Sequence, residues 1–196
     1  HCTRKIADLL VKDGSKAAFE PYFYFVLLHE VSHGLGPAYR KDGSYVAKSL
    51  SSNYTAIEEA KADVGALALL LKFRGKFGIP DFNTEDMLLS KLAGLFRSMR
   101  FGVHEAHGAA NVLQFNWFKE KNIIKTDSTG KFFEDPLNLQ KATDELLYEL
   151  CRIQASGTPD EAGNFLKKYA VPGKDILDAL LQLSKVPIDI RVTYTL

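Results

Sequence analysis

Two histidines four residues apart, with a glutamate directly after the first, stand in the stretch Phe23-Tyr24-Phe25-Val26-Leu27-Leu28-His29-Glu30-Val31-Ser32-His33-Gly34-Leu35-Gly36-Pro37. On an α-helix, residues four apart share a face and lie about 6 Å apart along the axis, so His29 and His33 can aim two imidazoles at one point. Two such ligands suit a zinc ion. Glu30 then sits beside the metal rather than on it, where a carboxylate can take a proton from water. With 5 His among 196 residues, chance alone gives this pattern in about one such chain in a hundred, as surface or capping histidines on an ordinary helix. The nearly all-apolar run from Tyr22 to Leu28 argues for a helix buried on most sides, where titratable residues need partners.

A catalytic zinc needs a third protein ligand and an open position. Glu59 is the best candidate: it follows His33 by 26 residues, at the start of the next apolar helix. Asp63 lies one turn further on the same face, placed to accept the N–H of a zinc-bound imidazole. Glu58 suits similar supporting work, and an exchange of roles between Glu58 and Glu59 stays open. The plainer alternative makes Glu58, Glu59, Lys61 and Asp63 a solvated helix face. His104 and His107, three apart in Gly102-Val103-His104-Glu105-Ala106-His107-Gly108, read either as a second metal site, as ordinary helix histidines, or as one imidazole reaching the zinc cleft to hydrogen-bond an oxyanion.

The elements that must position these residues follow from apolar periodicity and its punctuation. A helix is expected over residues 4–13, ending at Gly14, and the motif helix over about 16–35, capped by Ser15, with Pro21 forcing a kink or a late start. Gly34, Gly36 and Pro37 stop it. Residues 38–53 read as loop with a short extended piece at 45–47. A helix over 55–73 carries Glu58 to Asp63, and small residues around Gly65 allow another helix close. Helices follow at about 84–100, capped by Asn83 or Thr84, and at about 104–121. A hairpin is expected over 123–134, then helices over 136–155, with Pro136 at the first position, 158–169 and 174–185. The end, 186–196, reads as extended, with Ile188, Ile190, Val192 and Tyr194 alternating. The fold class is mainly α: a multi-helix lobe with a small β-hairpin and an extended C-terminal tail.

Composition narrows the function. At 46% apolar and 25% charged residues, the chain 1–196 reads as a single helical lobe with ample core. A formal charge of +1 without a basic block argues against nucleic acid and against an anionic membrane surface. The apolar runs are too short to span a bilayer, so a soluble, cytoplasmic protein is expected. Cys2 and Cys151 read as free thiols of a reducing compartment, a single pairing between them remaining open. A start at His1 reads as the middle of a longer protein, with a further lobe or domain N-terminal to it.

Together these pieces resemble the dipeptidyl peptidase III family, in the branch related to Nudix-linked members. The likeness lies in His29-Glu30-Val31-Ser32-His33-Gly34-Leu35-Gly36-Pro37, in Glu58-Glu59-Ala60-Lys61-Ala62-Asp63, in Ala106-His107 on a helix running to Leu113-Gln114-Phe115-Asn116-Trp117, and in Pro187-Ile188-Asp189-Ile190-Arg191. It implies a zincin-like catalytic lobe with Zn2+ as cofactor and a peptide substrate. His29, His33 and Glu59 would be ligands, Glu30 general base and acid, Glu58 and Asp63 supports of the ligands, and His107 a contact to the transition state. The best-known members have one more residue between the ligand histidines, and family members often carry Arg where this chain has Asn111. The expected function is a zinc-dependent metallopeptidase. Its rivals are a metal-stabilised helical module that regulates or binds peptides without activity, and a zinc hydrolase acting on something other than a peptide.

Overall fold

A computed structural model describes residues 2–187. Helices α1 (Cys2–Leu10), α2 (Phe19–His33), α3 (Val46–Leu50), α4 (Tyr54–Phe73), α5 (Thr84–Met99) and α6 (Ala106–Glu120) precede the antiparallel strands β1 (Ile124–Thr126) and β2 (Phe132–Glu134). Helices α7 (Leu139–Ser156), α8 (Pro159–Tyr169) and α9 (Lys174–Gln182) follow. The mainly helical class with one small hairpin is the one expected, while the extended tail beyond Pro187, with its share of the resemblance, falls outside the described residues.

Helix α4 is the central element, packing on α2, α6 and α7. Its Ala60, Ala62, Val64, Ala66, Leu67 and Leu70 are almost wholly buried, and each buried Leu or Val contributes about 1.5–3 kcal/mol by leaving water. Gly65 lets α2 come close: a Cβ there would stand 2.9 Å from the Ser32 hydroxyl and 3.0 Å from its Cβ. On the other flank, α5 packs on α1, α2 and α6. Phe132 of β2 seals that side, its ring 5.2 Å from Phe96 and 5.4 Å from Phe115.

Several boundaries differ from expectation, each for a local reason. Helix α1 stops at Leu10 because the chain turns to meet β2, where Val11 bridges Phe132 and the Lys12 amide donates to the Phe132 carbonyl at 2.8 Å. Helix α2 begins at Phe19, so Pro21 falls in the first turn, where its missing N–H costs no helical bond. Ser15 does not cap it. Ala18 holds the N-cap position, and its own amide is anchored from α5, donating to the Ser90 hydroxyl at 3.0 Å. Instead of an extended piece at 45–47, a Tyr39–Tyr45 bridge leads into α3, which buries Val46 and Leu50. Helix α7 begins at Leu139, not at Pro136, because Asn138 takes a left-handed conformation at φ 63°. Helix α6 begins at Ala106, which leaves His104 in the preceding turn.

Asn83 caps α5 as expected, accepting from the Glu85 and Asp86 amides. Thr158 and Glu161 close a reciprocal capping box on α8, with bonds of 3.1 and 2.8 Å.

Candidate metal centre

Helix α2 is apolar nearly all round but is not buried on most sides as its composition suggests: Phe25, Leu28, His29 and Ser32 form an inner face that packs on α4 and α5, while Phe19, Phe23, Val26, Leu27 and Val31 are exposed, and that inner face turns His29 and His33 toward α4. His29 Nε2 and His33 Nε2 approach to 3.1 Å, the rings meeting edge to face. Glu59 of α4 brings its Oε2 to 3.3 Å from His29 Nε2 and 3.7 Å from His33 Nε2. Among the described residues, these three form the group of His, Cys, Asp and Glu whose donor atoms lie close enough together to hold a metal.

The outer nitrogens are held by other carboxylates. Asp63 Oδ1 lies 2.7 Å from His29 Nδ1, and Glu58 Oε1 lies 2.9 Å from His33 Nδ1. A carboxylate can only accept, so each bond fixes the proton on Nδ1 and turns the lone pair of Nε2 toward Glu59. Glu58 thus reaches the far side of His33, whereas Glu59 reaches the inner edge of both imidazoles.

Around this pair of contacts lies a further ring of polar groups. Gln114 of α6 donates to Asp63 Oδ2 at 2.7 Å, and Asn111 lies 3.4 Å from the same oxygen. Gln154 of α7 donates to Glu58 Oε2 at 2.5 Å, and Lys61 pairs with Glu58 Oε1 at 2.9 Å. Lys61 is 3% exposed, and its ammonium also caps the end of α2, donating to the carbonyls of Ser32 at 2.8 Å and Leu35 at 2.7 Å. The solvated-face alternative for this stretch therefore fails for Lys61 and Asp63: both are buried.

This donor set fits a divalent cation. Glu59 Oε2 is buried without an aligned hydrogen bond, although two imidazole lone pairs point at it. Three carboxylates, Glu58, Glu59 and Asp63, face one ammonium, Lys61, which leaves two negative charges uncompensated when the imidazoles are neutral. In their own arrangement the residues answer by attracting protons. Burial opposes a charge on His29, but the hydrogen bonds and charges of Asp63 and Glu59 outweigh it and push its pKa up to about 10. Burial likewise opposes a charge on Glu59, yet the close contact with the His29 ring and the nearby imidazoles hold it below the ordinary carboxylate range. Soft-to-borderline nitrogen donors with one carboxylate oxygen are the ligands zinc favours.

One side of the centre is open. Glu30 is exposed on the turn beside His29, and with His29 and His107 it lines a cavity of about 170 Å³ between α2, α5 and α6. His107, 64% exposed at its side chain, reaches Glu59 Oε2 at 3.2 Å and lies roughly parallel to the His29 ring, 6.1 Å away. His104 is exposed in the turn and is not brought to His107 as a second metal site.

In the sequence Lys61 reads as part of a solvated face and Asn111 stands where family members often carry Arg, while Gln114 and Gln154 carry no spacing signal for the site.

No family model matches the chain. It is 34% identical over 204 residues to Nudix hydrolase 3 of Arabidopsis thaliana, a match that takes in 100% of this chain and 26% of that protein. The structure of dipeptidyl peptidase III from Caldithrix abyssi superposes with a TM-score of 0.87 at 33% identity, over 96% of this chain and 37% of that one. Dipeptidyl-peptidase III from Corallococcus sp. strain EGB superposes with a TM-score of 0.92 at 32% identity, over 97% and 36%. The chain therefore spans about a quarter of the curated relative and little more than a third of the two solved structures. The family resemblance read from the sequence holds, and the fold is that of the matching segment of these two dipeptidyl peptidase III structures. Among the described residues no helix is long and apolar enough to cross a membrane.

Proposed function

We propose that this chain is the zinc-binding lobe of a metallopeptidase of the dipeptidyl peptidase III kind, part of a larger protein that supplies a further lobe. The observation that carries the reading is the convergence of His29 Nε2, His33 Nε2 and Glu59 Oε2, with both outer imidazole nitrogens already held by Asp63 and Glu58.

Zinc held by these three residues would supply Lewis acidity, making water acidic and a peptide carbonyl electrophilic. Glu30, exposed beside His29, takes the proton of the attacking water and returns it to the departing amine. His107 lines the same opening, its Nε2 resting 3.2 Å from Glu59 Oε2, and once Glu59 is drawn to a cation this nitrogen donates to the oxygen on which negative charge develops. Asp63 and Glu58 keep the imidazoles turned inward, and Lys61, by fixing the last carbonyls of α2, holds His33 in place.

Metal analysis of the wild type beside His33→Ala and Glu59→Ala tests the ligand set. One zinc per chain is expected in the wild type and loss in both variants; zinc retained in Glu59→Ala but lost in Glu58→Ala would move the third ligand to Glu58. Glu30→Gln is expected to keep zinc and lose peptide hydrolysis by about 10²–10⁴-fold. Undiminished turnover in that variant would remove Glu30 from the mechanism.

A further inference from the structure

The cavity beside Glu30 and His107 holds a cation that the proposed chemistry does not use. Arg97 of α5 lines it, half-buried, opposite Glu30. Its guanidinium stands over the ring of Phe101 at 5.5 Å and against the Tyr22 hydroxyl. Arg4, Arg74 and Arg152 each pair with a carboxylate, those of Asp8, Asp81 and Glu149. Among the described residues, Arg97 has no such partner. The Tyr22 hydroxyl does not replace one, because burial raises its pKa and keeps it neutral.

The site is shaped as well as charged. Gly94 makes room for the Tyr22 ring, since a Cβ there would stand 2.7 Å from the ring's Cε2. The other positive group on the wall, Lys91, is already matched by Glu134 at 2.7 Å. About 170 Å³ is the space of several waters, enough for a short side chain or a chain end and too little for a large aromatic group. A planar guanidinium with free donors, partly removed from water, recognises a carboxylate through two parallel hydrogen bonds.

Resting on the peptidase reading, we propose that Arg97 binds a carboxylate of the peptide substrate in this cavity, so that cleavage favours peptides with an acidic group next to the bond that is cut. The carboxylate comes either from an Asp or Glu side chain or from the peptide's own C-terminus.

Two sets of matched peptides distinguish the sources when tested on the zinc-loaded full-length protein. One set exchanges Glu for Gln at the positions flanking the cleaved bond; the other exchanges a free C-terminal acid for its amide. The acid-to-neutral ratio of kcat/KM should be about tenfold or more in one of the sets, should fall to near unity in Arg97→Ala, and should recover in part in Arg97→Lys. The set in which the ratio collapses names the source. A ratio equal in wild type and Arg97→Ala in both sets overturns the proposal.

Calorimetry on the zinc-loaded Glu30→Gln protein gives a readout without turnover. Arg97-dependent binding of the acidic peptides is expected there. If no peptide is cleaved by the wild type while that binding persists, the peptidase reading fails and the carboxylate site stands. If peptides are cleaved but binding ignores Arg97, the carboxylate site fails and the peptidase reading stands.

Discussion

Two buried clusters of charge border one cavity between α2, α5 and α6, and they are built on different principles. Lys91 of α5 and Glu134 of β2 meet at 2.7 Å with side chains 1% and 0% exposed, and the ammonium also lies 4.6 Å from the face of Phe118. One positive charge meets one negative charge, so the pair is neutral, although Glu134 Oε2 is itself buried without a hydrogen-bond partner. Around His29 and His33, three carboxylates meet one ammonium, and the inner edges of both imidazoles point at a carboxylate oxygen with no aligned donor. That cluster keeps a negative excess, which a proton on His29 offsets in part and a bound cation would offset further. Charge balance thus separates a buried pair that ties a hairpin to a helix from a buried cluster able to take up a cation.

The two clusters should respond most differently to a change at Glu134. Removing one member of a neutral buried pair leaves the other charge without compensation, so Glu134→Ala should lower stability by about 3–5 kcal/mol in urea unfolding. Zinc content of the folded fraction should be unchanged. A variant that loses zinc in proportion to its stability would show that the two clusters are one unit.

The open cluster should instead betray itself through pH. In metal-free protein His29 is raised from 6.5 to about 10. A group raised in the folded state contributes stability that is fully present below its unfolded pKa and is lost as pH climbs through its folded pKa. Metal-free protein should therefore weaken between about pH 6.5 and pH 10, by a few kcal/mol at most, and zinc, which replaces the proton, should flatten that slope. Urea midpoints across this range, with and without zinc, measure it.

How much of this was readable beforehand depends on where each residue's partner lies. Helix identity, the Asn83 and Thr158 caps and the hairpin follow from neighbours within a few residues, and the sequence shows them. The start of α2 does not: its anchor, Ser90, is 72 residues away, so Ser15 looked like the natural cap. Helix α7 starts at Leu139 because the left-handed Asn138 overrides the preference of Pro136 for a first helical turn. In the centre, the ligand-like spacing of His29, His33 and Glu59 is local and legible. Lys61 is not, because a lysine within Glu58-Glu59-Ala60-Lys61 has the pattern of a solvated face until α2 ends against it. Gln154 and Gln114, from helices far along the chain, carry no spacing signal at all, and neither does the cavity that isolates Arg97.

Within the open cluster, the supports of the imidazoles should matter less than the ligands and more than their own partners. Asp63→Ala frees the outer nitrogen of His29, and a ligand whose orientation is lost in this way typically costs 10–100-fold in metal affinity. Competition with a zinc chelator measures that loss, and an unchanged affinity would mean that α2 alone orients the ring.

One step further out, Gln114 supplies the donor at 2.7 Å to Asp63 Oδ2 while its own Oε1 is buried without a partner. Gln114→Leu removes both at nearly constant volume. Loss of the donor destabilises and loss of the orphaned acceptor stabilises, so net stability should move by less than about 1 kcal/mol. Zinc affinity has no such compensation, because Asp63 Oδ2 keeps only the 3.4 Å approach of Asn111. It should fall by about threefold to tenfold, below the effect at Asp63 itself. The same chelator titration reads it. A loss at Gln114 as large as that at Asp63 would mean that the carboxylate turns away from His29 once its second oxygen is released, making α6 as much a holder of the metal as α4.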